Sequence, residues 1–221
     1  MHSLACLSSV LLVTMTLIGG CSRSTGAAWG SGNRGESPMD VLPHRGLTAG
    51  EKSMLWPIFR NGVDYDAVQI IHAAHPFQPN DAYMAPRGHI YAPGHLFHED
   101  WAAPKVSAVS RAELVHEMTH VWQFANGMDV FVEGVEQLIR TRGSYDKAYR
   151  YFLEIDRDLT EYNLEQQAAI LEDYYRIRFE GLHPVELANQ NLALDRRDEL
   201  YDSVLLEFFD DARYARKPVA R

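Results

Sequence analysis

Cysteine is nearly absent from this 221-residue chain, which contains only Cys6 and Cys21. Both lie in the first 21 residues, so the rest of the chain can form no internal disulfide and offers no thiolate to a metal ion. Any metal bound by the rest of the chain must therefore be held by His, Asp or Glu side chains.

Runs of basic residues are also missing. The formal net charge is -9 and the sequence pI is about 5.5, whereas binding to nucleic-acid phosphates requires clustered Lys and Arg. We therefore exclude nucleic acid as the main partner. With 46% hydrophobic and 23% charged residues, the chain is long and apolar enough to fold as one domain with a substantial core.

The first 21 residues contain no Asp, Glu, Lys or Arg. Their apolar stretch from Leu4 to Ile18 is shorter than a typical membrane-spanning helix and is typical of the central region of an export signal. It ends in "LIGGC", which resembles the lipobox of bacterial lipoproteins, where the cysteine is lipidated after cleavage. We predict a signal peptide at residues 1–20, lipidation of Cys21 and a flexible Gly- and Ser-rich tether at residues 21–40.

This N-terminal pattern also predicts a location. A lipid on Cys21 would anchor the protein in the bacterial cell envelope, and we favour the outer membrane, facing the periplasm, over the inner membrane. The membrane is then a partner of the chain through the lipid alone. The oligomeric state is not determined by the sequence.

Short strands and several helices are predicted for the folded part, which we place at residues 41–221. "DAVQIIHA" has the apolar pattern of a strand, and "GHIYAP" fits a second short strand inside a loop-rich segment, residues 76–104. A last amphipathic helical segment covers about residues 196–213. The predicted fold class is α+β and mainly helical, with a small sheet packed against the helix described next.

Capping patterns predict where helices begin. Thr48 with Glu51 forms a capping box, and Asn163 with Gln166 forms another at the start of a long helix that ends at Gly181.

The helix of greatest interest is predicted at residues 111–126. Ser110 and Glu113 form a capping box before it, and Val109 and Leu114 occupy the two positions of a hydrophobic staple. Gly127 marks its end, since glycine commonly terminates helices.

This predicted helix carries "HEMTH" at residues 116–120. On a helix His116 and His120 lie on one face, with about 5–6 Å between their Cβ atoms, so both can bind one ion. Glu117 points about 100° away, where it can serve as a general base toward a water molecule. These are the roles in the HExxH zinc motif. The alternative is a buried pair of histidines, bonded to the backbone or to Glu113.

A catalytic zinc ion needs a third protein ligand and one open coordination position. Gln123 and Asn126 exclude the long metzincin motif, which has Gly and His at those places. We predict Glu165, in the first turn of the second long helix, as the third ligand, because small residues on its face allow a close approach of the two helices. The other candidates, in order, are Glu172, Glu161, Glu133 and Glu136.

Further roles stay open at this point. A developing oxyanion could be stabilised by His183, Tyr162 or Tyr174, and the sequence does not select among them. The histidines of the loop-rich segment, His89, His95 and His98, are expected to be solvated loop residues, with a cleft lining or a second ion site as the alternatives. "GHIYAP" could pair with an extended peptide as the edge strand of the sheet.

"ELVHEMTHVWQ" and "YNLEQQAAILEDYY", together with "DYDAVQI" and "GHIYAP", resemble a family of bacterial zincin-fold metallopeptidase domains that occur in type VI secretion Vgr and Rhs-related proteins. The resemblance covers about residues 46–180. It implies a zincin-like, gluzincin-type fold with one catalytic zinc ion, held by His116, His120 and Glu165, and with Glu117 as the catalytic base. This chain differs by its own lipoprotein-like signal, so delivery into another cell is not implied.

We therefore expect a zinc-dependent metallopeptidase that hydrolyses peptide bonds with a water activated by Glu117. The expected substrate is a peptide or protein, and cell-wall peptides are included. The alternative is a catalytically inactive zinc-binding lipoprotein that acts as a binding or scaffold module in the envelope.

Overall fold

The computed structural model describes residues 42–76, 78, 81–130 and 145–215. The predicted signal peptide, Cys21 and the tether lie outside these ranges, as do Glu133 and Glu136. From Pro43 onward the described residues belong to one compact unit. No helix within the described ranges has the length and apolar character needed to cross a membrane.

Helices dominate the described part of the chain. They are α1 (Ala49–Phe59), α2 (Ala108–Ala125), α3 (Tyr145–Tyr149), α4 (Leu164–Phe179), α5 (Leu194–Val204) and α6 (Leu206–Asp210). A short 3-10 turn, Leu159–Glu161, leads into α4, and another occupies Gly94–Leu96. The predicted α+β, mainly helical class is confirmed.

A small sheet accompanies the helices. Its strands are β1 (His44–Gly46), β2 (Gln69–Ile71) and β3 (Ile90–Tyr91), with β2 in the middle, antiparallel to β1 and parallel to β3. β3 contacts α2, so the sheet lies beside the helix that carries "HEMTH".

The outer edge of β3 is already paired at Tyr91. The backbone N–H of Tyr91 donates to the carbonyl of Met84 at 2.8 Å, and its carbonyl accepts from the N–H of Met84 at 3.3 Å. The prediction that "GHIYAP" offers an open edge to a peptide is therefore wrong at this residue.

Two of the predicted capping boxes are confirmed. The hydroxyl of Thr48 accepts from the N–H of Glu51, whose carboxylate accepts in return from the N–H of Thr48. Asn163 and Gln166 exchange the same two bonds at the start of α4.

α2 begins three residues earlier than predicted. Ser107 is its N-cap and accepts from the N–H of Ser110 at 3.0 Å, while Val109 is 45% exposed, so the predicted staple is wrong. The extra turn is held by Arg111, whose backbone N–H donates to the carbonyl of Ser107 and whose guanidinium donates to that of Val106. These bonds stabilise a start at Ala108.

α2 and α4 pack against each other. Ala168 and Ala169 of α4 are buried, and side chains this small allow close contact between helices. Near the start of α2 and the end of α4, Arg111 donates two bonds of 2.6 Å to the carboxylate of Glu180. A bidentate pair of this kind fixes both the distance and the orientation of its partners.

The opposite side of α2 is covered by the C-terminal helices. Trp122 is fully buried, packs edge-on against Phe208 of α6 at 5.2 Å between ring centroids, and donates its indole N–H to the carbonyl of Ala212. Burial of an aromatic side chain of this size contributes roughly 1.5–3 kcal/mol, so α2 is firmly seated in the core.

Candidate metal centre

His116 and His120 lie one turn apart on α2, with ring centroids 5.1 Å apart. Glu165, in the first turn of α4, faces both rings. Its Oε2 lies 3.4 Å from Nε2 of His116 and 3.4 Å from Nε2 of His120. One ligand atom from each of the three residues falls within 4.8 Å of the other two. The structure thus brings together the two histidines and Glu165, the third ligand that the sequence predicts.

The other nitrogen of each imidazole has a partner of its own. Nδ1 of His120 donates to Oε1 of Gln123 at 2.8 Å, and Nδ1 of His116 lies 3.1 Å from Oε2 of Glu172. A histidine that donates its proton from Nδ1 keeps a lone pair on Nε2. In the neutral imidazoles, the form that binds a metal ion, both Nε2 lone pairs therefore point toward the carboxylate of Glu165.

This arrangement fits a metal ion. Oε2 of Glu165 is buried and accepts no hydrogen bond from the described residues. The contacts of 3.4 Å to the imidazoles exceed the ordinary N–H···O range of about 2.7–3.2 Å. Three electron-pair donors that face one another are stabilised by a cation between them. Two imidazole nitrogens and one carboxylate oxygen form a donor set typical of catalytic zinc.

The same cluster also favours positive charge on its histidines. Burial alone lowers the pKa of His116, but the close carboxylates of Glu165 and Glu172 outweigh burial and raise that pKa well above its usual value. Burial alone raises the pKa of Glu165, but the two imidazoles outweigh it and lower that pKa strongly. A positive charge is therefore stabilised between the side chains of His116, His120 and Glu165.

Glu117 lies beside this group and is itself buried, with 8% of its surface exposed. Its Oε2 accepts no hydrogen bond from the part of the chain that the structure describes. Burial is the largest cause that raises the pKa of Glu117, and the two imidazoles act in the opposite direction. A buried carboxylate with an unused oxygen is suited to accept a proton from a bound molecule.

The group lies close to the protein surface. The side chains of His116, His120 and Glu165 are 13%, 7% and 17% exposed, so each of the three keeps a small part of its surface in contact with solvent.

The structure separates two of the other candidate ligands, Glu172 and Glu161, from this group. Glu172 lies on the far nitrogen of His116, where Arg176 approaches its second oxygen at 3.5 Å. The carboxylate of Glu161 accepts from the N–H of Asp158 in the 3-10 turn before α4. Glu133 and Glu136 lie outside the described residues.

The three candidates for oxyanion stabilisation have other partners. The hydroxyl of Tyr162 donates to the carbonyl of Phe152, and the ring of Tyr174 packs against Tyr201 and Phe209. The imidazole of His183 is exposed, and its backbone carbonyl accepts from Arg176.

The histidines of the loop-rich segment are held outside the group. Nδ1 of His89 accepts from the N–H of Gln69, and His98 packs edge-on against Trp101. His95 is exposed on the Gly94–Leu96 turn.

Sequence reasoning missed Tyr149. Its ring lies 6.0 Å from the ring of His116, with 27° between the two planes. It comes from α3, a helix of five residues that is too short to show an apolar period, and the packing of α3 against α4 brings it here.

The chain is similar to known proteins. No protein-family profile matches it. Over 161 residues it is 36% identical to the type VI secretion system spike protein VgrG2b of Pseudomonas aeruginosa, a match that spans 72% of this chain and 15% of that protein.

A solved structure supports the same relation. The effector domain of Pseudomonas aeruginosa VgrG2b superposes with a TM-score of 0.56 at 34% sequence identity, and the match covers 66% of this chain and 82% of that domain. At this identity and coverage, the chain belongs to the family of the VgrG2b effector domain.

Proposed function

We propose that this protein is a zinc-dependent metallopeptidase with a zincin-like, gluzincin-type fold. The observation that carries the proposal is the convergence of ligand atoms from His116, His120 and Glu165 within 4.8 Å, next to the buried carboxylate of Glu117. The name of the related domain, an effector domain, supports an activity directed at another molecule.

The side chains of the site have two separate roles, metal binding and proton transfer. A zinc ion bound by His116, His120 and Glu165 would supply Lewis-acid activation of a water and of the scissile carbonyl. Glu117 accepts the proton of the attacking water and donates it to the leaving amine. Burial raises the pKa of Glu117, which makes the carboxylate a stronger base than an exposed glutamate.

The substrate that we propose is a peptide or protein, with cell-wall peptides included. We further propose that lipidation of Cys21 anchors the domain in the bacterial envelope, with residues 1–20 removed as a signal peptide. The sequence of the N-terminal segment supports both parts.

Glu117→Gln tests the catalytic role. We expect the full-length variant to keep one zinc per chain, measured by mass spectrometry, and to lose nearly all peptidase turnover, because only the base is removed. The His120→Ala variant should lose both the zinc and the turnover.

Glu113→Gln is the matched control, one turn earlier on the same helix. Burial, followed by the carboxylates of Glu172 and Glu117, raises the pKa of Glu113 to about 7, so at neutral pH the amide replaces a group that is about half protonated. We expect its turnover to stay within a few-fold of wild type. Equal loss in Glu113→Gln and Glu117→Gln would contradict the base role. If cells that produce the Glu117→Gln variant show the same cell-envelope phenotype as cells with the wild-type protein, the non-catalytic scaffold alternative is favoured.

A further inference from the structure

We propose that Gln123 is the positioning residue for two of the three metal ligands. Through one amide group it fixes the tautomer of His120 and the distance of Glu165 from the histidines. This inference rests on the metal site proposed above.

The contacts of Gln123 leave no choice in the orientation of its amide. The side chain is fully buried, and its Nε2 donates to the carbonyl of Leu164 at 2.9 Å and to Oε1 of Gln167 at 3.0 Å. Two acceptors can face only the NH₂ end of the amide. Oε1 must therefore point toward His120, whose Nδ1 lies 2.8 Å away.

The first consequence concerns His120. Because Oε1 of Gln123 can only accept, Nδ1 of His120 must carry a hydrogen, and in the neutral, metal-binding imidazole the lone pair of Nε2 then points toward Glu165. Partners of this kind orient metal-binding imidazoles and fix their tautomers.

The second consequence concerns Glu165. Leu164 is the residue immediately before this ligand and the first residue of α4. The bond from Gln123 to its carbonyl ties the first turn of α4 to α2 at the level of His120. A further bond, from Nε2 of Gln167 to the carbonyl of Tyr162, holds the segment just before the helix at 2.8 Å. Gln123 thus sets the separation between the carboxylate of Glu165 and both imidazoles.

Metal affinity distinguishes a positioning role of Gln123 from a purely structural one. Loss of a buried hydrogen-bonding group lowers the stability of the folded chain whether or not it touches a ligand. A positioning residue must in addition change metal affinity and coordination geometry. Groups that hydrogen-bond metal ligands typically change affinity by about 10–100-fold when removed.

The test uses the full-length chain with Gln123→Met, which keeps length and volume but has no amide. We expect zinc binding, measured by competition with a chromogenic chelator, to weaken by about 10–100-fold. The visible absorption of bound cobalt should also change, because the third ligand is displaced. Gln123→Glu keeps an oxygen for His120 but offers no N–H to Leu164. Its zinc affinity should therefore fall between those of the wild type and Gln123→Met. This second variant provides the test if Gln123→Met does not fold.

Asn126→Leu is the matched control, since Asn126 is another buried amide, at the end of α2, and in the described part of the chain its side chain donates to the carbonyl of Trp122 and hydrogen-bonds neither a metal ligand nor α4. We expect a similar loss of metal-free melting temperature but at most about a threefold loss of zinc affinity. Wild-type affinity in both Gln123 variants, or an equal loss of affinity in Asn126→Leu, would overturn the inference and leave the metal site standing. A wild-type chain that binds no zinc would overturn the metal site and the inference with it.

Discussion

The carboxylate of Glu172 is expected to strengthen metal binding without touching the ion. Its Oε2 lies 3.1 Å from Nδ1 of His116, and its Oε1 faces Nη1 of Arg176 at 3.5 Å. Glu172→Gln keeps the shape and can still present an oxygen to Nδ1. The bond then loses its charge assistance, and the new NH₂ group faces Arg176, which has no acceptor.

The expected loss follows from these contacts. The removal of groups that hydrogen-bond metal ligands typically weakens binding by about 10–100-fold, which corresponds to about 1.4–2.7 kcal/mol. The side chain of Glu172 is 18% exposed, so water can compensate part of the lost charge. We therefore expect the lower half of this range, about 10–30-fold.

The assay is the dissociation constant for zinc at pH 7, obtained by chelator competition with Glu180→Gln as the control. Glu180 is the C-cap of α4 and its carboxylate pairs with Arg111, but it hydrogen-bonds no candidate metal ligand in the described part of the chain. The control should lose thermal stability yet bind zinc within about twofold of wild type, by the same reasoning.

Two outcomes would refute this reasoning. Unchanged zinc affinity in Glu172→Gln would mean that the bond to His116 does not support the ligand. Equal weakening in both variants would mean that affinity follows the stability of the helix pair and not the hydrogen bond.

Two further predictions concern stability. Glu51 is fully buried and accepts two hydrogen bonds from Arg45 and one each from the N–H groups of Thr48 and Trp101. Glu51→Gln should lower the free energy of unfolding by about 3–5 kcal/mol and the melting temperature by about 6–20 °C. A melting-temperature shift under about 3 °C would contradict this prediction. Burial raises the pKa of Asp173 to about 6 from its ordinary 3.8, so its contribution to stability is fully present below about pH 4 and is lost as the pH rises through 6, by about 3 kcal/mol. The slope of unfolding free energy against pH in this window should be smaller in Asp173→Asn, and equal slopes would show that another group titrates.

Much of the local structure could be predicted because its causes are local. The capping boxes at Thr48 and Asn163 depend on residues three apart, and both form. The start of α2 could not be placed, because Ser107 and Ser110 are equally good caps. The choice depends on Arg111, whose partner Glu180 lies 69 residues away.

The candidate site shows the same limit. Glu165 and Glu172 are seven residues apart, about two helical turns, so they share one face of α4 and a sequence pattern cannot separate their roles. The structure separates them, since Glu165 faces Nε2 of both histidines and Glu172 faces Nδ1 of one. The ion pair between the buried Glu51 and the partly exposed Arg45 could likewise not be predicted, because the capping pattern gives no information on Arg45.

The two ties between α2 and α4 have a consequence for how metal and protein come together. One tie joins Gln123 to Leu164 and the other joins Arg111 to Glu180, so the helices are held on either side of the histidines by the chain alone. Small zinc domains, by contrast, acquire their structure only when the ion binds. Here the ion would bind to a protein that is already folded, and a chelator would remove it without unfolding the chain. Its contribution to stability would then vary with the free zinc concentration of the surroundings.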